Sequence, residues 1–322
     1  MRAVQVVRLE GPGGVEVVDV PEPTAGEGEL LVEVHALGVS FPDLLLSKGE
    51  YQVKPDVPFQ LGVDFAGVVR EAPAGSGHGA GDRVAGCLPY GAGAELLATG
   101  PDSVFPLPDG VSFEQGAAIP MNYLTAQFAL ATRAQLQPGE TVLVHGAAGG
   151  VGTACIQVAK GYGARVFGVV STKEKGELAR TAGADEAVLL DGFLGTVKEL
   201  TQGRGVDVVV DVVGGDVMTD SLRALAAQGR LLVVGFAAGS IPQVRVNRLL
   251  LNNIDVRGVG WGAYAMTRPG FMRAQWDELL PMLEKGVVDP PIGSTYPLDE
   301  FRSALADMDQ RRTLGKSVVM VR

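Results

Sequence analysis

Eleven residues near the middle of the chain, Val142–Gly152 (VLVHGAAGGVG), join an apolar run to a turn of small residues. Val142, Leu143 and Val144 show no polar alternation, which suits a parallel strand buried on both faces. The turn Ala147-Ala148-Gly149-Gly150-Val151-Gly152 lacks side chains that would hold a diphosphate away from the backbone. The segment that follows, TACIQVAKGYGA, has helical spacing, so its first amides and the helix dipole would point at such an anion. The dinucleotide fingerprint of three spaced glycines fits positions 147, 149 and 152 with Ala147 replacing the first. With a second strand expected at 165–171, the pattern predicts a Rossmann nucleotide-binding unit; a plain tight turn is the alternative.

The second strand of such a unit usually ends in an acid for the ribose 2′-hydroxyl. Here it runs Val169-Val170-Ser171-Thr172-Lys173-Glu174-Lys175, with no acid at its tip and two lysines just beyond. Ser171 and Thr172 could hydrogen-bond a 2′-phosphate and Lys173 or Lys175 neutralise it, so NADPH is expected over NADH. The alternative is that the lysines only solvate a helix start.

These residues need elements to hold them. From about residue 119 to 262, strands are expected at VLVHG, RVFGVV, EAVLL, VDVVVDVVGG, GRLLVVGFA and IDVRGVGW, with helices between; six is the count of a full dinucleotide fold. Before that, residues 1–118 show short strands between Gly and Pro turns. Residues 263–322 carry two helical stretches and a last strand, KSVVMVR, and are expected to return to the N-terminal domain. The fold class is α/β, with a β-rich domain beside the Rossmann one. No stretch is long and apolar enough to span a membrane, and no signal-peptide pattern opens the chain. The formal charge of −10 disfavours nucleic acid as a partner. Two distant cysteines, Cys87 and Cys155, make neither a disulfide framework nor a cysteine zinc site, which suits a reducing cytoplasm.

Taken together, GVSFPDLLLSKGEY (38–51), GVDFAGVV (62–69), GDRV (81–84), AAIPMNYLTA (117–126), LQPGETVLVHGAAGGVG (136–152), VGF (234–236) and RRTLGKSVV (311–319) resemble the zinc-independent medium-chain dehydrogenases/reductases. Within that group the chain is similar to the NADPH:quinone oxidoreductases related to zeta-crystallin. The resemblance implies a GroES-like catalytic domain beside the Rossmann domain. It also implies hydride transfer to a quinone or an α,β-unsaturated carbonyl. An enoyl-thioester reductase is the alternative enzyme; a non-enzymatic NADPH-binding protein, crystallin-like or RNA-binding, is the alternative class.

The same resemblance implies a substrate pocket lined by Ser40, Asp43, Leu45 and Tyr51, with Asn122 and Thr125 near the nicotinamide. Asp43 could equally cap the helix after Pro42, and Tyr51 could merely pack. Phe236 matches a position by the nicotinamide half and Arg311 one by the 2′-phosphate, where a guanidinium binds bidentately. Leu190 stands where some relatives place tyrosine beside the adenine. No metal is expected: Ser40 and Val63 replace the cysteine and histidine of the zinc branch. Asp64 lies where zinc enzymes keep a glutamate and is expected only to orient neighbours. Asp82 is expected to bond turn amides and His145 to be a packed core residue. An uncharged strand end, GVGWGAY (258–264), predicts a homodimer through the Rossmann edge strand.

Overall fold

The structure, a computed structural model, describes residues 1–322. It divides into two compact units, the first made of Met1–Asn122, Ala265–Glu278 and Ile292–Arg322, the second of Tyr123–Tyr264 and Leu279–Pro291.

Eight strands of the first unit precede residue 110. They are β1 (Arg2–Val6), β2 (Val15–Asp19), β3 (Leu30–Val39), β4 (Phe59–Gln60), β5 (Asp64–Glu71), β6 (Arg83–Cys87), β7 (Leu96–Thr99) and β8 (Val104–Pro106). All their pairings are antiparallel. β4 and β8 were not expected from the sequence, because two or three residues are too few to show a period of two.

Six parallel strands form the sheet of the second unit: β9 (Thr141–His145), β10 (Arg165–Val170), β11 (Glu186–Leu189), β12 (Val206–Asp211), β13 (Leu225–Val233) and β14 (Asp255–Gly258). Their order is β11-β10-β9-β12-β13-β14, the doubly wound arrangement whose order reverses at the first strand. All six lie where apolar runs predicted them. Every residue of β9 is buried, and Leu143, Phe167, Val209 and Leu231 share one core cluster with Phe193 and Leu222. Each fully buried side chain of this size contributes roughly 1.5–3 kcal/mol, which is why β9 and β10 at the centre of the sheet carry no polar alternation, while the edge strand β14, DVRG, does.

Two further strands, β15 (Ile292–Pro297) and β16 (Lys316–Met320), complete the first unit, giving a sheet of order β15-β16-β3-β5-β6-β8 with β7 also on β3. The C-terminal segment therefore does not return as one piece. Leu279–Pro291 belongs to the second unit, held there by the buried amide of Gln157, which donates to Asp289 O at 2.7 Å and accepts from Asp289 N at 2.8 Å.

One helix was expected across MNYLTAQFALATRAQ. The structure has an α-helix, Pro120–Gln127, running into a π-helical stretch, Phe128–Ala134, that stops at Gln135 with φ 54°. The guanidinium of Arg230 anchors that end, donating to Ala134 O at 2.9 Å and to both carboxylate oxygens of Glu140 at 2.6 Å. No helix is long and apolar enough to cross a membrane.

Candidate active site

In the second unit, β9 ends at His145 and the chain turns through Gly146, whose φ of +64° suits a residue without Cβ. The helix Gly150–Gly161 starts immediately, with Gly149 as its N-cap and no side chain bonded to its first amides. Those amides carry the partial positive charge of the helix start. A Cβ on Gly152 would lie 2.2 Å from Gly146 O, so the helix packs against the turn backbone itself; one on Gly149 would come no closer than 3.4 Å. Ala148 is buried, while Gly149, Gly150 and Val151 keep part of their surface.

At the tip of β10, Ser171 and Lys173 are exposed and Lys175 is half-buried. Thr172 caps the helix Lys173–Thr181 by accepting from Lys175 N at 3.2 Å, so its hydroxyl oxygen has a local task the sequence reading did not assign. Phe236 follows β13 and is 37% exposed, next to Gly214, where a Cβ would come within 2.9 Å of its ring. Leu190 is exposed beyond β11. His145 is the packed residue expected of it. Its Nε2 lies 2.8 Å from Ser221 Oγ, whose own proton goes to Val217 O, so Nε2 carries the hydrogen. Burial holds its pKa down at about 4.

The first unit gathers a separate group. Ser40 is the N-cap of the helix Phe41–Ser47, and Asp43 closes a capping box by accepting from Ser40 N at 2.9 Å; its other oxygen accepts from Gly62 N at 3.2 Å. Asp43 is fully buried, and burial, with the nearby Asp64 charge, pushes its pKa up to about 7 despite those amides. Asp64, also fully buried, accepts from Met121 N at 2.8 Å through Oδ1 and from Ser40 Oγ at 2.7 Å through Oδ2. That places it as an orienter of its neighbours. Lys316 Nζ donates to the same Oδ2 at 2.7 Å and to Ser40 Oγ.

Ser40 was a candidate catalytic residue. Its hydroxyl gives its proton to Asp64 and takes one from Lys316, so the group is committed inside the unit and is 3% exposed. Tyr51 is half-buried, and burial, then the Cys87 and Asp43 groups facing it, raises its phenol pKa. Asn122 and Thr125 are buried on the helix Pro120–Gln127, the first in one unit and the second in the other. Arg311 follows the helix Phe301–Asp309 at φ 58°; beside it, Arg312 is paired with Asp307. Asp82 accepts from the turn amide of Gly79 at 2.7 Å.

Residues 26–129 match the alcohol dehydrogenase GroES-like domain and residues 150–285 the zinc-binding dehydrogenase model. Over 325 aligned residues, covering 100% of this chain and 92% of the relative, the sequence is 38% identical to quinone oxidoreductase-like protein 2 of Rattus norvegicus. The chain belongs to the quinone oxidoreductase family of the medium-chain dehydrogenases/reductases. A probable oxidoreductase from Mycobacterium abscessus is similar in structure, with a TM-score of 0.91, 43% identity and coverage of 99% of this chain and 98% of that one. The quinone oxidoreductase of Thermus thermophilus, solved also as its complex with NADPH, gives a TM-score of 0.86 at 36% identity, with both chains fully covered.

Lys316 is the residue of this family member that sequence reasoning missed. Its signal was present: a single lysine opening the apolar strand KSVVMV, whose charge had to find a buried partner. The zinc named by the matching model does not fit these residues. Val63 is fully buried and apolar, and the carboxylate of Asp64 is already met by an ammonium.

Proposed function

We propose that this chain is an NADPH-dependent reductase that passes hydride to a quinone or an α,β-unsaturated ketone or aldehyde without a metal ion. The observation that carries the reading is the uncapped helix start at Gly149–Gly152, set behind β9 at the point where the strand order of the second sheet reverses. Such a crevice is where doubly wound sheets bind nucleotides. The NADPH complex of the Thermus thermophilus relative supports it.

When bound, NADPH supplies a hydride, which with one solvent proton converts a quinone to its hydroquinone and leaves NADP+. The amides of Ala148 to Gly152 hold the diphosphate. In the second unit, Ser171 and Lys175 meet the 2′-phosphate, and Phe236 and Thr125 position the nicotinamide half. In the first unit, Tyr51 faces the acceptor, while Ser40 and Asp43 hold the backbone of the helix start beside it. Acceptor choice then rests on pocket shape.

With EDTA present throughout, the purified protein should oxidise NADPH when given a small quinone. The Ser171→Ala, Lys175→Ala double variant should raise the KM for NADPH by about tenfold or more while leaving that for NADH nearly unchanged. No oxidation with any quinone or enone, or activity that disappears on chelation and returns with zinc, would refute the reading.

We also propose a homodimer through β14, which pairs only with β13. Close to it in sequence, Ile241, Val246, Leu250 and Leu251 are 68–77% exposed, an apolar surface that a second copy would cover. Val259, within GVGWGAY, is internal at 7% exposure, and its amide donates to Val233 O. Light scattering at micromolar concentration should give about twice 33.5 kDa, and Leu250→Glu with Leu251→Glu should halve it. A monomeric wild-type protein would sink the proposal.

A further inference from the structure

β16, β3, β5 and β6 lie side by side, and their register brings a set of polar residues to one end of the sheet. Ser317 is opposite Val39, Gly38 opposite Asp64, and Asp64 opposite Cys87. Lys316 and Ser40 therefore flank the same row as Asp64 and Cys87. Lys316 is 4% exposed and Asp64 0%, and the ammonium contacts both Asp64 Oδ2 and Ser40 Oγ. Space for its stem is provided by Gly38, where a Cβ would lie 2.8 Å from Lys316 Cε and 2.0 Å from Ala117 O. Asp64 Oδ1 in turn holds Met121 N, beside Asn122.

We infer that Lys316 is a resident cation: its ammonium stands where the donor row would otherwise collect a positive ion, and through Asp64 it fixes Ser40 and the Met121 backbone. It is a positioning residue for the reductase reaction and rests, in that respect, on the function proposed above. A charge buried in this way is tolerated only with its counter-charge in place, so removing the amine leaves Asp64 unpaired inside the sheet and opens a hole shaped for a small alkylammonium.

The test is Lys316→Ala with propylammonium chloride, against sodium chloride at equal ionic strength. Tm is read on the protein without cofactor or acceptor, so it reports the cation site whether or not any quinone is reduced. The variant should melt about 10 °C or more below wild type in sodium and recover in propylammonium. Wild type and Lys316→Met, whose side chain fills the hole, should show no such rise. In turnover, kcat should fall by about tenfold or more with the KM for NADPH within about threefold, and propylammonium should restore part of kcat. Should Lys316→Ala fail to fold in either salt, adding Asp64→Asn to Lys316→Met decides the matter: the double variant should melt above Lys316→Met alone, because no unpaired carboxylate remains. A folded Lys316→Ala whose Tm ignores propylammonium, or a double variant no more stable than Lys316→Met, would overturn the inference.

Discussion

Gly152→Ala should weaken NADPH binding by about tenfold to a hundredfold and lower the melting temperature as well, because overpacking costs on the order of 1–3 kcal/mol. The added methyl would sit 2.2 Å from Gly146 O and 2.9 Å from Ala147 Cα, both backbone atoms that cannot rotate away. Relief requires the helix Gly150–Gly161 to move off the turn, and the amides proposed to hold the diphosphate move with it. Gly149→Ala separates the two effects. Its methyl meets nothing closer than 3.4 Å, so Tm should hold while binding weakens, since the side chain projects where an anion must approach. Fluorescence titration with NADPH beside thermal melts of both variants checks this. Unchanged affinity and Tm in Gly152→Ala would refute the close-packing account.

Arg230→Met should cost about 3 kcal/mol, the low end of the range for breaking a buried ion pair by removing one partner, since the Glu140 side chain keeps 22% of its surface. The side chain is 9% exposed and chelates both oxygens of Glu140 while donating to Ala134 O, Gln135 O and Asp207 O. The loss thus takes the counter-charge from the Glu140 carboxylate and the side-chain donor from Ala134 O, while Gln137 still donates to Glu140 Oε2 and to Gln135 O. The guanidinium pairing holds the Glu140 carboxyl below its usual range. A Tm drop of roughly 10 °C is expected, taking about 2–4 °C per kcal/mol for a unit of this size. Denaturation of wild type, Arg230→Met and the double variant with Glu140→Gln measures it; a drop in Arg230→Met of less than about 1 kcal/mol would show that the pair adds little beyond an exposed one.

The second unit was far more legible in the sequence than the first. Its central strands β9, β10 and β12 are valine-rich runs buried almost throughout, as strands covered on both faces must be, and all six overlap the segments read as strands, although β13 starts at Leu225 and ends before the VGFA expected in it. The glycine turn was legible because an anion cradle needs backbone without side chains, a demand that leaves a visible mark. The site of the first unit left fainter marks. Asp43 showed both a capping and a chemical reading, and the structure displays the cap. Ser40 looked like a free hydroxyl because its partners Asp64 and Lys316 lie 24 and 276 residues away, and no local pattern reveals contacts at that separation. The break of the C-terminal segment at Leu279 left one mark, Pro281 inside the helix Phe271–Glu284, whose two ends belong to different units.

Because β16 follows the other strands of its sheet in sequence and yet is an interior one, between β15 and β3, the order of synthesis and the order of pairing diverge. While the ribosome works through the rest of the chain, at about 5–20 residues per second, β3 waits with one edge unsatisfied at the positions β16 will occupy, and Asp64 waits without its counter-charge. The sheet of the second unit is complete in sequence by Gly258 and is free to form first. The first unit to be translated is therefore the last to be finished. A nascent chain stalled short of residue 316 would present β3 as a sticky edge to its neighbours until Lys316–Met320 covers it.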